Sequence, residues 1–208
     1  MAIPFRAHAL LLTTAMMVAA APAVAQDKSK LDEVLERGHL VLGTGSTNAP
    51  WHFKSVDDKL QGFDVDMGRI IAKSLFGDPD KIEYVTQSSD ARIPNITTGK
   101  VDVTCQFMTV TGERAQQVAF TIPYYREGVG LMLKADGDYA DYEALKEAGS
   151  SVTVSVLQNV YAEDMVHAAL PEASVDQYES VDLIYQALES GRSDAVATDQ
   201  SSLAWYMT

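Results

Sequence analysis

The chain has 208 residues, of which 47% are hydrophobic and 22% are charged, and its formal net charge is −13. This composition is typical of a globular protein rather than a disordered one, and the length suffices for one large domain or two small ones. A nucleic-acid partner requires a basic surface, so the acidic charge argues against one and leaves small ligands and protein partners.

The first 25 residues predict a secretory signal peptide. Arg6 supplies a positive start, residues 9–21 form an apolar run, and Ala23-Val24-Ala25 fits the small-residue rule for the cleavage site. The apolar run is shorter than the ~20 residues that a membrane span needs, and no later segment is long enough either. We therefore expect export to the periplasm with residues 1–25 removed.

Hydrophobic periodicity predicts helices alternating with strands in the first half of the chain. We expect helices over 31–37, 64–76 and 91–98, and strands over 39–43, 60–63, 81–86 and 101–105. Asp64 is expected to cap the second helix, and Ser89 or Asp90 the third. The only cysteine, Cys105, lies in the last of these strands, which predicts a buried thiol and excludes an internal disulfide. Strands alternating with helices imply a parallel α/β layer.

The second half continues the same alternation. We expect strands over 128–134, 151–156, 174–177 and 194–197, and helices over 141–148, 160–169, 180–190 and 200–207. The stretch 96–103 resembles the stretch 188–195, since each has a helix end, a glycine, a basic residue and an aspartate that enters a strand. This repeat favours two similar lobes, 26–127 and 128–208, joined by a crossing near 124–134. Because no strand follows the last helix, lobe 2 is expected to be truncated, with its return to lobe 1 missing.

The sequence contains no motif for a cofactor, a metal or a catalytic group. Gly43 and Gly45 follow a strand, but the third glycine and the helix of a dinucleotide-binding fingerprint are missing. The four histidines lie in four different segments, without the spacing of metal ligands. We therefore predict no cofactor and no metal site.

Several motifs, taken in order, resemble the family 3 bacterial extracellular solute-binding proteins. They are GFDVDM with the apolar positions that follow it (62–75), GKVD (99–102), TVTGER with VAF (109–120), PYY (123–125), VLQ (156–158) and DAVATD (194–199). The resemblance covers roughly residues 30–208. It implies an α/β, two-lobe, type II periplasmic-binding-protein fold. It also implies a monomeric periplasmic receptor, without catalytic activity, that captures a polar or acidic amino acid and delivers it to an ABC permease.

The resemblance further implies a set of ligand-binding residues. Arg114 would hold the α-carboxylate through its planar fork, and Thr109 would add its hydroxyl and backbone N–H. Asp199, from the other lobe, would take the α-ammonium, which the backbone near Phe107 would share. Phe107 stands where a small residue is usual and would narrow the pocket or form one wall. By spacing alone, Arg114 would instead be a solvated residue at a helix start.

The chain departs from the family pattern near Pro50. An aromatic residue that stacks on the ligand commonly precedes this proline, but here Asn48 and Ala49 do. Trp51, His52 or Phe53 could compensate, although Trp51 and Phe53 could equally belong to the core. At the start of the lobe 2 helix, residues 159–161 are Asn-Val-Tyr, where many members have small residues. The ligand contacts that lobe 2 would make there therefore stay open.

Arg92 bears on ligand choice. The subset of the family that resembles glutamate/aspartate and broad-range receptors has an arginine at this position, so Arg92 favours an acidic ligand, with glutamate or aspartate slightly ahead of glutamine and asparagine. That subset also uses an arginine near position 45, where this chain has Gly45. Alternatively, Arg92 pairs with Asp90 or Glu113 on the surface.

Two other functions are compatible with this fold. Some periplasmic enzymes that resemble cyclohexadienyl dehydratases share it, and so do extracellular sensor domains. A dehydratase needs a general acid in its cleft, and the sequence offers no candidate beyond the binding set, with His52 the only histidine nearby. A sensor would need an attached membrane segment, and this chain contains none.

Overall fold

The structure is a computed structural model that describes residues 28–159 and 161–208. The predicted signal peptide, residues 1–25, lies outside the described residues. Among the helices that are described, none combines the length and the apolar character needed to cross a membrane.

Residues 28–128 form a parallel sheet with helices around it. In chain order the elements are α1 (Lys30–Arg37), β1 (Leu40–Thr44), β2 (Thr47–Asn48), β3 (His52–Lys54), β4 (Leu60–Gln61), α2 (Phe63–Phe76), β5 (Ile82–Thr86), α3 (Arg92–Thr97), β6 (Val103–Thr104) and α4 (Gly112–Ala115). Strands β5, β1 and β6 pair in that order, all parallel. Strands β2, β3 and β4 form a separate small antiparallel sheet beside them.

Residues 129–208 build a second sheet. Its elements are β7 (Val129–Leu133), α5 (Tyr142–Ala148), a 3₁₀ turn (Gly149–Ser151), β8 (Thr153–Leu157), α6 (Ala162–His167), β9 (Ser174–Tyr178), α7 (Val181–Glu189), β10 (Ala195–Asp199) and α8 (Gln200–Tyr206). The strand order is β7-β10-β8-β9, parallel except for β7. The predicted α/β class is confirmed, and every predicted helix and strand is present with ends within about two residues.

The internal repeat has the same structural role in both sheets. The Asp102 carboxylate accepts a hydrogen bond from the backbone N–H of Val41 at 2.8 Å. The backbone N–H of Asp102 in turn donates to the Val41 carbonyl at 2.9 Å. Asp194 makes the same pair of bonds with Thr153, both at 2.8 Å. The glycine before each aspartate ends a helix with a left-handed φ, 72° in one case and 71° in the other. Each aspartate thus ties the start of its own strand to the neighbouring parallel strand.

Each sheet has its own hydrophobic core. Leu42 on β1 is fully buried beneath the apolar face of α2, which supplies Met67, Ile71 and Leu75. In the second half, Ile184 on α7 is fully buried against β10. These separate cores agree with two lobes, while the boundaries at 26–127 and 128–208 stay a prediction.

Ile184→Val is expected to destabilise the second half. It removes one buried methylene, which costs about 0.5–1.5 kcal/mol and lowers the melting temperature by roughly 1–6 °C in a chain of this size. Ile122→Val is the matched control, because Ile122 is 87% exposed and its replacement should leave the melting temperature unchanged. Calorimetric melting of both variants checks the expectation, and equal melting temperatures would contradict it.

Two predicted helix caps are wrong. Helix α2 begins at Phe63 after Gly62, whose φ of 123° and close contact with the Trp51 carbonyl admit no side chain. Asp64 is fully buried and accepts hydrogen bonds from other side chains, so it does not cap the helix. Helix α3 follows Ala91 without any side-chain cap, so neither Ser89 nor Asp90 serves there.

Helix α8 connects the second half to the small sheet of the first half. Trp51 donates its indole N–H to the Ser201 hydroxyl at 2.8 Å, and Ser202 donates its hydroxyl to the Asn48 side-chain oxygen at 2.7 Å. The ring of Trp205 packs against Phe53 with centroids 5.6 Å apart. We call these three contacts the α8 seam.

Candidate functional site

A cleft of about 540 Å³ lies between the two halves of the protein and is lined from both sides. Its volume is in the range of small-molecule sites. Five of the six residues that the sequence singled out for ligand binding line it, namely Arg92, Phe107, Thr109, Arg114 and Asp199. The sixth, Trp51, does not.

Arg114 is oriented into the cleft by the start of α4. The Thr111 hydroxyl caps this helix by accepting the Arg114 backbone N–H, and one guanidinium nitrogen of Arg114 donates to the Thr109 carbonyl at 2.9 Å. The guanidinium stacks over the Tyr161 ring, 5.0 Å from its centroid. Arg114 is buried, and this burial lowers its pKa. No carboxylate of the described residues lies within ion-pairing distance of it, so its charge is available to an anion.

Arg92 is buried beside Arg114, and its guanidinium binds backbone carbonyls. Its Nε donates to the Ser89 carbonyl at 2.7 Å, and Nη1 donates to the carbonyls of Gln106 and Phe107 at 3.1 and 3.4 Å. Burial, and then the nearby Arg114 charge, lower the pKa of Arg92 to about 10. The predicted alternative, a surface ion pair with an acidic neighbour, does not form, because the guanidinium points inward and bonds to carbonyls.

Phe107 forms one wall of the cleft, and Trp51 packs behind it. Phe107 has a φ of 44°, an uncommon left-handed conformation for an aromatic residue, and Arg92 fastens its carbonyl. Trp51 is 2% exposed and packs against Phe107, with ring centroids 4.2 Å apart, and against Tyr125 at 4.7 Å. Trp51 therefore belongs to the core and does not line the cleft, so the expectation that it contacts the ligand is corrected.

The opposite wall is acidic. Asp199 ends β10, and no cation of the described residues lies within ion-pairing distance of its carboxylate. Burial, followed by the neighbouring Glu127 charge, raises the pKa of Asp199 to about 7. Glu127 is held in turn by Ser201, whose backbone N–H and hydroxyl donate to it at 2.7 and 2.8 Å. The cleft thus has cations on one side and carboxylates on the other.

Sequence reasoning missed Glu127 and Tyr161. Glu127 is an acid at the crossing between the sheets, and only that location signals it. Tyr161 lies at the helix start that departs from the family pattern. Its hydroxyl donates to Glu113 at 2.6 Å and lies 3.2 Å from the Thr111 hydroxyl, so it joins the two walls of the cleft.

His52, on β3, lines the cleft, whereas Trp51 and Phe53 do not. Its Nδ1 lies 2.8 Å from one carboxylate oxygen of Asp64, and the Tyr124 hydroxyl donates to the other at 2.7 Å. Burial, and then the Asp64 charge, raise the pKa of Tyr124, so the phenol keeps its proton and remains a donor. Across the described residues, no group of histidine, cysteine or acidic side chains is arranged to hold a metal ion.

Residues 40–165 match the family model of the bacterial extracellular solute-binding proteins, family 3. The chain belongs to this family. Similar solved structures confirm the type II periplasmic-binding-protein fold. An ancestral amino-acid-binding protein, described as a precursor of cyclohexadienyl dehydratase, is 34% identical with a TM-score of 0.79, over 86% of this chain and 78% of that one. The L-cysteine solute receptor of Neisseria gonorrhoeae is 29% identical with a TM-score of 0.76, over 85% and 71%.

A curated relative of this solute-binding protein is the glutamine-binding protein of Geobacillus stearothermophilus. The two are 30% identical over 178 residues, which make up 85% of this chain and 66% of the relative. The chain therefore spans about two thirds of the length of that relative.

Proposed function

We propose that this protein is a periplasmic receptor that binds a polar or acidic amino acid and delivers it to an ABC permease. The observation that carries the proposal is the charge arrangement of the cleft. Arg114 on one wall has no carboxylate partner among the described residues, and Asp199 on the other has no cation within ion-pairing distance among them. A free amino acid carries one group of each charge, and both must be matched when the ligand is buried.

The ligand would span the cleft between these two groups. Arg114 holds the α-carboxylate through the guanidinium edge that the Thr109 carbonyl does not use. The hydroxyl of Thr109, which makes no hydrogen bond to described residues, adds a second donor. Asp199 takes the α-ammonium, and Phe107 walls the site. Since the groups come from different lobes, the ligand would favour a closed state, as in hinge-closing receptors.

The similar proteins reported above support this proposal, because they bind glutamine or L-cysteine or are described as amino-acid-binding. We further propose that the receptor is monomeric, that residues 1–25 are removed on export, and that lobes 26–127 and 128–208 close on the ligand. No cofactor or metal takes part.

A thermal-shift screen of the full-length protein against the twenty amino acids tests the proposal. A ligand at one hundred times its Kd stabilises the folded state by about 2.7 kcal/mol, so a polar or acidic amino acid should raise the melting temperature clearly. Calorimetric titration of each hit then gives its Kd. If none of the twenty shifts the melting temperature or releases heat, the proposed function is wrong.

Binding is expected to weaken as the pH falls below 7. The pKa of the Asp199 carboxyl is raised to about 7 in the cleft, and only the ionised form of this carboxyl attracts the ligand ammonium. Binding must therefore release a proton at lower pH, and Kd should rise about tenfold between pH 8 and pH 6 and level off above pH 8. Titrations at these pH values measure the effect, and a constant Kd would contradict the assignment of Asp199.

A second candidate function is a dehydratase of the same fold. The observation that favours it is again Asp199, because a carboxyl with a pKa of about 7 in a cleft is suited to act as a general acid. Incubating the protein with prephenate or arogenate distinguishes the two candidates. Product formation above a no-enzyme control would establish catalysis, whereas binding without turnover would leave the receptor function.

A further inference from the structure

Tyr161 reaches across the cleft from the second half of the protein. It lies between β8 and α6 and lines the cleft from that side. Its hydroxyl donates to the Glu113 carboxylate at 2.6 Å and lies 3.2 Å from the Thr111 hydroxyl, and both partners stand at the start of α4 in the first half. Its backbone N–H donates to the Asn159 side-chain oxygen at 3.0 Å. The two ends of the residue are therefore held, one by each half.

The ring of Tyr161 lies against the guanidinium of Arg114. The Cζ atom of Arg114 stands over this ring, 5.0 Å from its centroid. A guanidinium is planar, and it packs on aromatic faces through its own flat face and through the attraction of the ring for a cation. The contact therefore occupies a face of the guanidinium and leaves the N–H groups, which lie in its plane, for hydrogen bonds.

Without this ring, a single hydrogen bond would set the orientation of the guanidinium. Among the described residues, the Arg114 side chain donates only to the Thr109 carbonyl, at 2.9 Å. One hydrogen bond lets a planar group turn about the line between donor and acceptor, whereas a ring against its face fixes the plane. A carboxylate is bound by two parallel N–H···O bonds only when both groups share a plane. The ring thus bears on the geometry that the ligand carboxylate needs.

The other contacts of Tyr161 also converge on Arg114. Glu113, which accepts the phenol proton, precedes Arg114 in the chain, and the Thr111 hydroxyl accepts the Arg114 backbone N–H at 3.2 Å. A tyrosine hydroxyl has one proton to donate, and Glu113 takes it. Tyr161 therefore has no proton left for a ligand, and its role in binding passes through the arginine that it holds.

We propose that Tyr161 is a positioning residue for the α-carboxylate site: its ring fixes the plane of the Arg114 guanidinium, which then presents its free N–H groups to the ligand. The inference rests on the proposed function and adds to it the residue by which the second half completes the carboxylate site of the first. Because Tyr161 and Arg114 belong to different halves, the site is fully formed only when the halves face each other as they do here.

Calorimetric titration of two variants with the amino acids that raise the melting temperature in the thermal-shift screen tests the proposal. Tyr161→Leu removes the ring and should weaken binding about fivefold or more, whereas Tyr161→Phe keeps the ring and should stay within about twofold of the wild type. Tyr142→Leu is the matched control and should bind as the wild type. Tyr142 belongs to the same half and also faces a cation, Lys146 at 5.9 Å, but it lies outside the lining of the cleft.

Two results would overturn the role of the ring while the receptor function stands. A loss in Tyr161→Phe as large as that in Tyr161→Leu would assign the effect to the hydroxyl. Unchanged affinity in a Tyr161→Leu protein with a normal melting curve would show that Arg114 keeps its orientation without the ring. If no amino acid binds the wild type, the receptor function itself fails, and this inference with it.

A measurement on the unmutated protein covers the case in which Tyr161→Leu does not fold. In a sample with ¹⁵N-labelled arginine, the Nε–H signal of Arg114 is the one that is absent from Arg114→Ala. With the wild type saturated by an amino acid from the screen, the proton of this signal should lie upfield of that of the exposed Arg69, because an aromatic face shields protons above it. Equal proton shifts for the two arginines would show that the ring does not cover Arg114 in the complex, and would overturn the proposal.

Discussion

Arg114→Ala is expected to reduce amino-acid affinity by at least about a hundredfold and to leave the protein folded. The guanidinium is buried in the wall of the cleft, and its only hydrogen bond from the side chain to a described residue goes to the Thr109 carbonyl. Its removal would leave the α-carboxylate of the ligand without a hydrogen-bonding cation, because the neighbouring Arg92 is committed to backbone carbonyls. Losing one partner of such a pair costs on the order of 3–5 kcal/mol.

Calorimetric titration of a thermal-shift hit measures this loss, and a melting curve confirms folding. Arg69→Ala is the matched control, because Arg69 is an exposed arginine of the same half, pairs with Asp80 and lies outside the cleft. Near-normal affinity in a folded Arg114→Ala protein would show that another group holds the carboxylate.

Asp199→Asn should have the second largest effect. The amide keeps the size of the side chain and removes the charge that faces the ligand ammonium across the cleft. Truncating one partner of a buried charge pair costs about 2–5 kcal/mol. The variant should also lose the dependence of Kd on pH between 6 and 8, because the titrating carboxyl is gone.

The control for this variant is Asp176→Asn, an exposed aspartate on β9 of the same half. Calorimetry gives the affinities, and small-angle scattering reports whether ligand still compacts the protein. If Asp199→Asn binds with unchanged affinity and compacts fully, a different acid of the cleft, such as Glu127, takes the ammonium.

Local patterns were sufficient to predict most of the fold. The repeat around Asp102 and Asp194 could be recognised because it is made of a glycine at a helix end and an aspartate that bonds to the adjacent strand, both within a few residues of sequence. The helix caps could not be predicted so well. Asp64 has the side chain and the position of a cap, but its role is decided by His52 and Tyr124, which are 12 and 60 residues away.

The residues of the candidate site also divide into those that the sequence predicts and those that depend on contacts between distant segments. Arg114, Thr109 and Asp199 were expected through the family motifs, and all three line the cleft. Tyr161 and Glu127 were missed because their contacts arise only when the lobes face each other. Arg92 was expected near the pocket, but the sequence could not indicate that its guanidinium would be committed to the carbonyls that shape the Phe107 turn.

The α8 seam would make the intrinsic tryptophan fluorescence of the protein sensitive to the proposed lobe closure. The chain has two tryptophans, and both lie in this seam, Trp51 through its hydrogen bond to Ser201 and Trp205 through its packing on Phe53. Ser201 also binds Glu127, and α8 starts directly after Asp199. The proposed rotation of one lobe against the other would therefore change the surroundings of both indoles, so intrinsic fluorescence would follow the proposed closure in real time on unlabelled protein.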